Sequence, residues 1–169
     1  MGSTDLKAAF SGMVSTVATR LSAHGFGQRG LVLHKSAGGN VALVEFQLSD
    51  KTSKERVVFT VNLGIVCGEL SGAAVSRKAS VMDAHLRQRL GFLLPDRADK
   101  WWEITAQTNL IALANELSAT IEERALPYLD EYLDSRSLIA LWESGRSPGL
   151  TAVQRARFLD QLKGAAGAT

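Results

Sequence analysis

Polar and aromatic side chains in several stretches of the sequence carry groups that could bind a ligand. They comprise an imidazole, a carboxylate, two amides, two guanidiniums and an indole: His34, Glu45, Gln47, Asn62, Arg87, Arg89 and Trp102. A carboxylate, amides and an imidazole can hold a polar ligand or a peptide by hydrogen bonds. Arginines can hold a carboxylate or a phosphate through two parallel hydrogen bonds. The chemistry that these residue types indicate is binding of a polar or anionic group.

Each of these residues can also be explained by a purely structural role, and we take that role as the default interpretation. The polar strand residues would form cross-strand hydrogen bonds on a wet face, since antiparallel sheets often expose one side to water. The arginines would pair on the surface with helix acids such as Glu122 or Glu123. In "KWWEI", neighbouring strand side chains point to opposite faces. One of Trp101 and Trp102 would therefore lie in the core, and the other would pack under a helix or border a pocket.

The sequence shows no recognisable catalytic set. Ser71 lacks the flanking spacing of a nucleophile elbow, and Cys67 follows a long apolar strand, which predicts a buried, inert thiol. The histidines at positions 24, 34 and 85 are scattered over different elements. No Cys/His cluster has the spacing of a zinc site. We therefore expect no catalytic residue, no metal and no cofactor.

The stretch "GFGQRG", residues 25–30, fits the G-x-G-x-x-G pattern of phosphate-binding loops. A dinucleotide-binding loop follows a strand and opens a helix, whereas here a helix precedes and a strand follows. A kinase-like loop needs a lysine in a later strand, and "VALVEF" has none. The stretch is therefore predicted to end a helix and turn into the first strand.

Composition is that of an ordinary globular protein. The 169 residues are 46% hydrophobic and 21% charged, which suits one domain with its own core. The net charge of +2 comes from interspersed acids and bases, which disfavours nucleic-acid binding. A weaker nucleic-acid interpretation would use the basic C-terminal helix with Arg155, Arg157 and Lys163. A single cysteine indicates a reducing cytoplasm, and no signal peptide or membrane-spanning run is visible.

The elements that would position the candidate residues alternate between helix and strand periodicity. "TDLKAAFSGMVSTVATRLSAHG" predicts an amphipathic helix. "LVLHK" and "VALVEFQLS" predict a hairpin across Gly38-Gly39-Asn40, "ERVVFTVNLGIV" a long third strand and "KWWEITA" a fourth. "VMDAHLRQRLGFLLP" predicts a short helix or turn segment. Helices follow from about residue 108, and Pro127 begins a second, shorter one.

Alternation along the strands assigns their side chains to two faces. One face is apolar, and the N-terminal helix should cover it: Leu31, Leu33, Val44, Phe46, Leu48, Val57, Phe59, Val61, Leu63 and Ile65. The other face is mixed: Val32, His34, Leu43, Glu45, Gln47, Thr60 and Asn62. A turn around Thr52 would place Glu45 opposite Thr60, with Gln47 and Asn62 nearby.

Five stretches occur in a recognisable order: "HGFGQRGLVLHK", "VALVEFQLS", "FTVNLGIV", "HLRQRLGFLLPDRADKWWEI" and "ERALPYLDEYL". Together, over about residues 5–133, they resemble a bacterial family, domain of unknown function 4304. The positions that carry the resemblance are Phe46, Gln47, Asn62, Leu63, Gly64, Arg87, Arg89, Gly91, Trp101, Trp102 and Pro127. The resemblance implies a fold and no chemistry. It also implies a shared polar patch: Gln47, Asn62, Arg87, Arg89 and Trp102.

We therefore predict a single α+β domain over residues 1–145 and a C-terminal helical extension with a frayed end over residues 146–169. The domain should contain an antiparallel β-meander of about four strands, packed by an N-terminal helix and a C-terminal helical set. The predicted function is that of a small cytoplasmic bacterial protein that acts as a non-catalytic binding or interaction module. One form of such a module is an immunity protein, which neutralises a toxin partner. Its partner would be a protein or a small polar ligand, with no membrane association.

The alternative function is an enzyme that acts on a polar or anionic metabolite through Glu45, Gln47, Asn62, Arg87 and Arg89. Convergence of these side chains in a concave pocket would favour the enzyme, and their dispersal over a convex surface would exclude it.

Overall fold

The computed structural model describes residues 3–71 and 78–167 of the chain. Within these ranges the six helices are α1 (Ser3–Leu21), α2 (Gly68–Ser71), α3 (Leu110–Thr120), α4 (Leu126–Tyr132), α5 (Ser135–Glu143) and α6 (Ala152–Gly167). The six strands are β1 (Gly27–Arg29), β2 (Val32–Ala37), β3 (Asn40–Leu48), β4 (Val57–Val66), β5 (Leu86–Arg89) and β6 (Trp102–Ile104). Short 3-10 turns occupy Ser22–His24, Val81–Asp83 and Leu90–Leu93, and a π-helical turn occupies Ile121–Ala125.

The strands form one antiparallel sheet in the order β1-β2-β3-β4-β5, and β6 also pairs with β4. Strands β5 and β6 share the free edge of β4, because β5 pairs with Asn62–Ile65 and β6 with Val57–Phe59. The predicted α+β class, with its antiparallel sheet, N-terminal helix and C-terminal helices, is confirmed. The sheet contains six strands instead of about four, because β1 lies inside "GFGQRG" and β5 inside the segment predicted as a helix or turn.

Helix α1 covers the apolar face of the sheet, as the alternation predicts. Its Phe10 ring lies 5.0 Å from the Phe59 ring and 6.4 Å from the Phe46 ring, centroid to centroid. Full burial of such a side chain stabilises the fold by about 1.5–3 kcal/mol. All the residues predicted for this face are buried or packed against the main core.

The hairpin between β2 and β3 has the predicted turn. Ala37 pairs with Asn40, and the two glycines between them have φ of +59° and +84°. Both values lie in the left-handed region, where glycine has no Cβ to clash and where two-residue hairpin turns place their central residues.

The register between β3 and β4 differs from the prediction by two residues. Glu45 lies opposite Asn62, and Gln47 lies opposite Thr60. The turn is centred beyond Thr52, because the amide of Ser53 donates to the carbonyl of Arg56 at 2.8 Å. A shift of two residues preserves which face each side chain occupies, since strand side chains alternate with a period of two. The face assignment therefore stands, although the predicted pair is wrong.

The prediction of a helix or turn over residues 81–95 is wrong where β5 forms. Residues Leu86–Arg89 extend along β4 and pair with it, so that Arg87 lies opposite Gly64 and Arg89 opposite Asn62. Tertiary pairing overrides local propensity here, because the edge of β4 offers unpaired backbone groups. The two arginines consequently point to the same face of the sheet.

The second face of the sheet, opposite α1, is half covered. Residues 79–84, the cover segment, place Ala79, Val81 and Ala84 over an apolar patch of the strands. The strand residues of that patch are Val32, Val41, Leu43 and Val66. Beyond the cover segment this face carries the polar side chains of the candidate site.

The helices after β6 complete the core. Helix α3 passes through the π-helical turn into α4 without interruption, which fits the missing N–H of Pro127 and the clash that its ring would cause in an α-helix. Helix α6 packs against α5, and its Leu162 is fully buried. The proposed division at residue 145 stays a prediction. The frayed end is predicted at "AAGAT", residues 165–169; helix α6 extends through residue 167, and residues 168–169 lie outside the described ranges. No described helix combines the length and the apolar character needed to cross a membrane.

Candidate functional site

Five of the predicted residues lie together on the second face of the sheet: Glu45, Gln47, Asn62, Arg87 and Arg89. Glu45, Asn62 and Arg89 form a row across β3, β4 and β5, because each lies opposite the next. Gln47 joins the row where its Oε1 accepts a hydrogen bond of 2.7 Å from Asn62 Nδ2. The sheet register therefore brings together residues that are distant in sequence.

Arg89 is held by an acid and by an aromatic ring. Its Nη1 donates to both carboxylate oxygens of Asp99, at 2.8 and 2.7 Å, and its guanidinium carbon lies 5.2 Å from the centre of the Trp101 ring. Trp101 Nε1 also donates to Asp99, at 3.1 Å. The pKa of Asp99 lies below its ordinary value, chiefly because Arg89 donates to it. These contacts fix the orientation of Arg89 and Trp101.

The suggested pairing of the arginines with Glu122 or Glu123 is wrong. Arg89 pairs with Asp99, whereas Glu122 lies on the α1 side of the molecule and pairs with Arg20. The correct acid could not be chosen from sequence, because Asp99 reaches Arg89 only after the chain between β5 and β6 folds back.

Arg87 fastens the cover segment to the sheet. Its Nη2 donates to the carbonyl of Met82 at 2.6 Å, and its Nε donates to the carbonyl of Ala84 at 3.2 Å. Among residues 3–71 and 78–167, no carboxylate forms an ion pair with Arg87. Its charge therefore remains unneutralised by an acid in the part of the chain that the structure describes.

Glu45 also serves the cover segment. Its Oε2 accepts a hydrogen bond of 3.1 Å from the amide of Val81, and Arg29 Nη2 donates to the carbonyl of Ala79 at 2.6 Å. A carboxylate that accepts a backbone N–H at the start of a helical turn satisfies an otherwise unpaired donor. Glu45 thus positions the cover segment and does not project into open space.

A cleft of about 420 Å³ opens beside the two arginines. Its lining residues are Asn62, Val81, Arg87, Gln88, Arg89, Phe92, Pro148 and Gly149. The volume falls within the range of small-ligand sites, roughly 300–1,000 Å³. The polar strand residues form its floor, and the loop before α6 forms one wall.

The wall of the cleft sits on β5 because residue 149 is glycine. A Cβ at Gly149 would lie 2.7 Å from the carbonyl oxygen of Arg87, closer than real Cβ atoms approach. Its φ of +81° is also left-handed. The loop can therefore lie directly against the strand edge. Sequence reasoning missed this wall, and the single available signal was the Pro148-Gly149 pair, which indicates a turn without saying where the turn packs.

A second cavity of about 590 Å³ borders Trp101. It is lined by Gln47, Leu48, Ser49, Asp50, Lys51, Val58 and Trp101. The Gln47–Asn62 hydrogen bond connects its lining to that of the cleft. We call the cleft, the second cavity and the polar row between them the groove.

We compared the sequence of this chain with models of protein families. A model described as "Domain of unknown function (DUF4304)" matches residues 17–131. The chain belongs to the DUF4304 family. The resemblance seen in the sequence is therefore confirmed. The comparisons with curated proteins and with solved structures gave no match.

Two of the seven candidate residues, Trp102 and His34, lie apart from the groove of this DUF4304 chain. Trp102 lies on the core face, where its ring stacks on Phe59 with centroids 5.9 Å apart. The prediction placed Trp102 in the site, but Trp101 lies there instead. The reason is that β6 pairs with β4 so that Trp102 is opposite the core residue Phe59. His34 lies on the second face but packs over Gly27 at the β1 edge, where a Cβ would lie 3.0 Å from its ring.

The single thiol of the DUF4304 chain lies in the core, as the sequence predicts. Cys67 is fully buried, and burial raises the pKa of its thiol above the ordinary value. His85 is also buried, which lowers the pKa of its imidazole, and its Nδ1 accepts a hydrogen bond of 3.0 Å from the Cys67 amide. A neutral, inaccessible thiol is not a nucleophile. Within the described ranges no three His, Cys, Asp or Glu side chains are grouped to hold a metal ion.

Proposed function

We propose that this protein is a non-catalytic interaction module that binds a partner protein through the groove. The observation that carries the proposal is the clustering of exposed apolar side chains around two positioned arginines. Among the described residues, five large hydrophobic side chains are exposed. Two of them line the groove, Phe92 in the cleft and Trp101 in the second cavity, and a third, Met82, lies on the cover segment, where its carbonyl accepts from Arg87.

This composition is the one that protein interfaces use. Binding energy at interfaces concentrates in tryptophan, tyrosine and arginine, and exposed apolar surface beside polar groups marks interaction sites. Trp101 is 38% exposed although it is stacked on Arg89, and Phe92 is 45% exposed at the cleft. Because Asp99 already fixes Arg89, a partner would lose little of its binding energy to ordering this side chain.

Three side chains of the enzyme alternative, Asn62, Arg87 and Arg89, converge in the concave cleft, which by itself favours that alternative. Glu45 and Gln47 do not line the cleft, and the groups that do line it favour binding over catalysis. The lining offers two guanidiniums and two amides, and none of its residues carries a carboxylate, an imidazole or a thiol. A general base must lie within hydrogen-bond reach of the proton that it removes. Glu45, the one carboxylate named in the enzyme alternative, accepts a hydrogen bond from the Val81 amide instead. The immunity type, in which a preformed surface blocks a toxin, is one form of the proposed function.

One further observation disfavours a nucleic-acid partner, and a second supports a cytoplasmic location. Arg155 donates to the carbonyls of Ser147 and Leu150, and Lys163 pairs with Glu143, so these basic groups are engaged within the chain. They are therefore less suited to phosphate contacts. The free thiol of Cys67 supports a reducing compartment.

The experiment is affinity capture with the tagged full chain from a lysate of the cells that encode it. We compare the natural chain with Trp101→Ala and with the matched control Ile111→Ala. Ile111 is 77% exposed on α3, which packs against α1 on the other side of the sheet. The natural chain and the control should retain a stoichiometric partner. Trp101→Ala should weaken binding by about 30-fold or more, the effect of an interface hot spot.

The proposal fails if no stoichiometric protein is retained by the natural chain. It also fails if Trp101→Ala retains the partner as well as Ile111→Ala does. Thermal unfolding of each variant shows whether a loss of binding follows from a loss of fold.

A further inference from the structure

The cleft carries an uncompensated positive charge. Two of its lining residues are arginines and none is acidic. Asp99 neutralises Arg89 through both carboxylate oxygens, which leaves Arg87 as the arginine without a described acidic partner. Electrostatic complementarity therefore favours an anionic group in this cleft.

The hydrogen bonds of Arg87 leave one edge of its guanidinium open. A guanidinium has an edge formed by Nε and Nη2 and another formed by Nη1 and Nη2. The two nitrogens of the first edge each donate to a carbonyl, Nε to that of Ala84 at 3.2 Å and Nη2 to that of Met82 at 2.6 Å. Among the described residues, no acceptor binds Nη1. These two carbonyl contacts also fix the plane of the guanidinium, so that its second edge is preorganised for a planar, two-oxygen acceptor.

The surroundings of Arg87 are apolar on several sides. Val81, Phe92 and Pro148 line the same cleft. An apolar wall beside a charged fork excludes water from the ion pair and gives an apolar neighbour of the anion a surface to pack on. Asn62 keeps one amide hydrogen after its bond to Gln47, and it also lines the cleft.

We propose that the cleft binds a carboxylate from an acidic segment of the partner protein, seated on the open edge of Arg87. An apolar side chain next to that carboxylate packs against Phe92. This inference rests on the proposed function and names the chemistry that the partner contributes. A carboxylate fits better than a phosphate, because Asp99 already occupies Arg89 and the single remaining guanidinium charge matches one negative charge rather than the charge of about −1.5 to −2 on a phosphate group.

The test uses two peptide probes and one ion. The probes are acetyl-Leu-Glu-Leu-amide and acetyl-Leu-Gln-Leu-amide, which differ only in the carboxylate, and the ion is inorganic phosphate. Each is titrated into the full chain labelled with ¹⁵N, and the Nε–H signals of the arginines are followed by NMR. The Glu probe should shift the Arg87 signal and bind about 10- to 100-fold more tightly than the Gln probe, as hydrogen bonds to charged groups imply. Phosphate should not compete with the Glu probe at equal concentration.

Variants assign the effect to the cleft. Arg87→Lys keeps the charge but loses the fork, and it should remove most of the preference for Glu over Gln. Arg136→Gln is the matched control, because the side chain of Arg136 is 93% exposed on α5. Arg87 also fastens the cover segment, so a second variant, Phe92→Ala, tests the same cleft from an exposed position. Phe92→Ala should weaken binding of both peptides while thermal stability is unchanged.

The inference is overturned if the Glu and Gln probes bind equally, or if phosphate displaces the Glu probe. It is also overturned if Arg87→Lys and Phe92→Ala both behave like Arg136→Gln. These outcomes are separable from a failure of the proposed function. A partner that is lost with Trp101→Ala, together with equal peptide binding, rejects the carboxylate site alone. Preferential binding of the Glu probe without a captured partner rejects the interaction function alone.

Discussion

Replacing Asn40 by alanine should lower the free energy of unfolding strongly, because the Asn40 side chain joins three separate parts of the chain. Its Nδ2 donates to the carbonyl of Leu133 at 2.8 Å and to Ser135 Oγ at 3.1 Å. Its Oδ1 accepts from the amide of Gly68 at 3.0 Å. The side chain therefore fastens the start of α2 and the junction of α4 and α5 to the hairpin between β2 and β3.

The magnitude follows from the burial of these groups. Asn40 is only 3% exposed, so water cannot replace the lost partners. A typical hydrogen bond contributes about 1 kcal/mol net, and a buried group left without a partner costs roughly 1–3 kcal/mol. With three bonds removed and some relaxation around alanine, we expect a loss of about 2–4 kcal/mol. The matched control is Asn62→Ala, which removes one half-exposed bond to Gln47 and should cost about 0.5 kcal/mol.

The assay is urea unfolding at neutral pH, followed by the fluorescence of the buried residues Trp102 and Trp142. With a slope of about 2 kcal/mol per molar urea, the midpoint of Asn40→Ala should fall by about 1–2 M, and that of Asn62→Ala should barely move. Binding should respond in the opposite order, because Asn62 lies in the cleft and Asn40 does not. The reasoning is refuted if the two variants lose equal stability, or if Asn40→Ala stays within about 0.5 kcal/mol of the natural chain.

Two further predictions concern acid stability and the wall of the cleft. Burial lowers the pKa of His85, so the unfolded chain binds its proton first as the pH falls. The free energy of unfolding should therefore decrease between about pH 7 and pH 5, and it should decrease less in His85→Gln; equal slopes in urea titrations would contradict this. Gly149→Ala should cost about 1–2 kcal/mol for the left-handed φ of +81°, plus the cost of displacing Arg87 and its neighbours. Gly145→Ala, with φ of +72° and no atom near the added Cβ, is the control, and an equal loss in both variants would show that the close contact has no effect.

The two faces of the sheet could be predicted from the sequence because they depend on local alternation. Val44, Phe46, Phe59 and Val61 are apolar at every second position, and all four are buried beneath α1. This pattern survives the error in register, since a slip of two residues moves no side chain to the other face. It is harder to predict which residues of β3 and β4 lie opposite each other, because this depends on the turn between the two strands. The hydrogen bonds of that turn form among polar residues that fit several turn lengths.

A different reason explains why strand β5 could not be predicted from the sequence. The segment that contains Arg87 and Arg89 has spacing that a helix also accepts, and its strand conformation comes from pairing with β4. The same limitation applies to Trp101 and Trp102. Alternation requires them to face opposite sides, but only the pairing of Trp102 with Phe59 decides which of them is exposed. Long-range pairing thus determined the parts of the site that the sequence left open.

The floor and the wall of the cleft come from different parts of the chain, and this separates two aspects of recognition. Asn62, Arg87 and Arg89 lie within residues 17–131, the range that matches the DUF4304 model, whereas Pro148 and Gly149 lie beyond it. The charged residues at the floor of the cleft therefore belong to the region that matches the family model. The shape of the opening is set by a segment that lies outside residues 17–131. Substitutions in the loop around Gly149 should change which apolar neighbour of a carboxylate fits the cleft. They should leave the preference for a carboxylate itself intact as long as the Met82 and Ala84 carbonyls still orient Arg87.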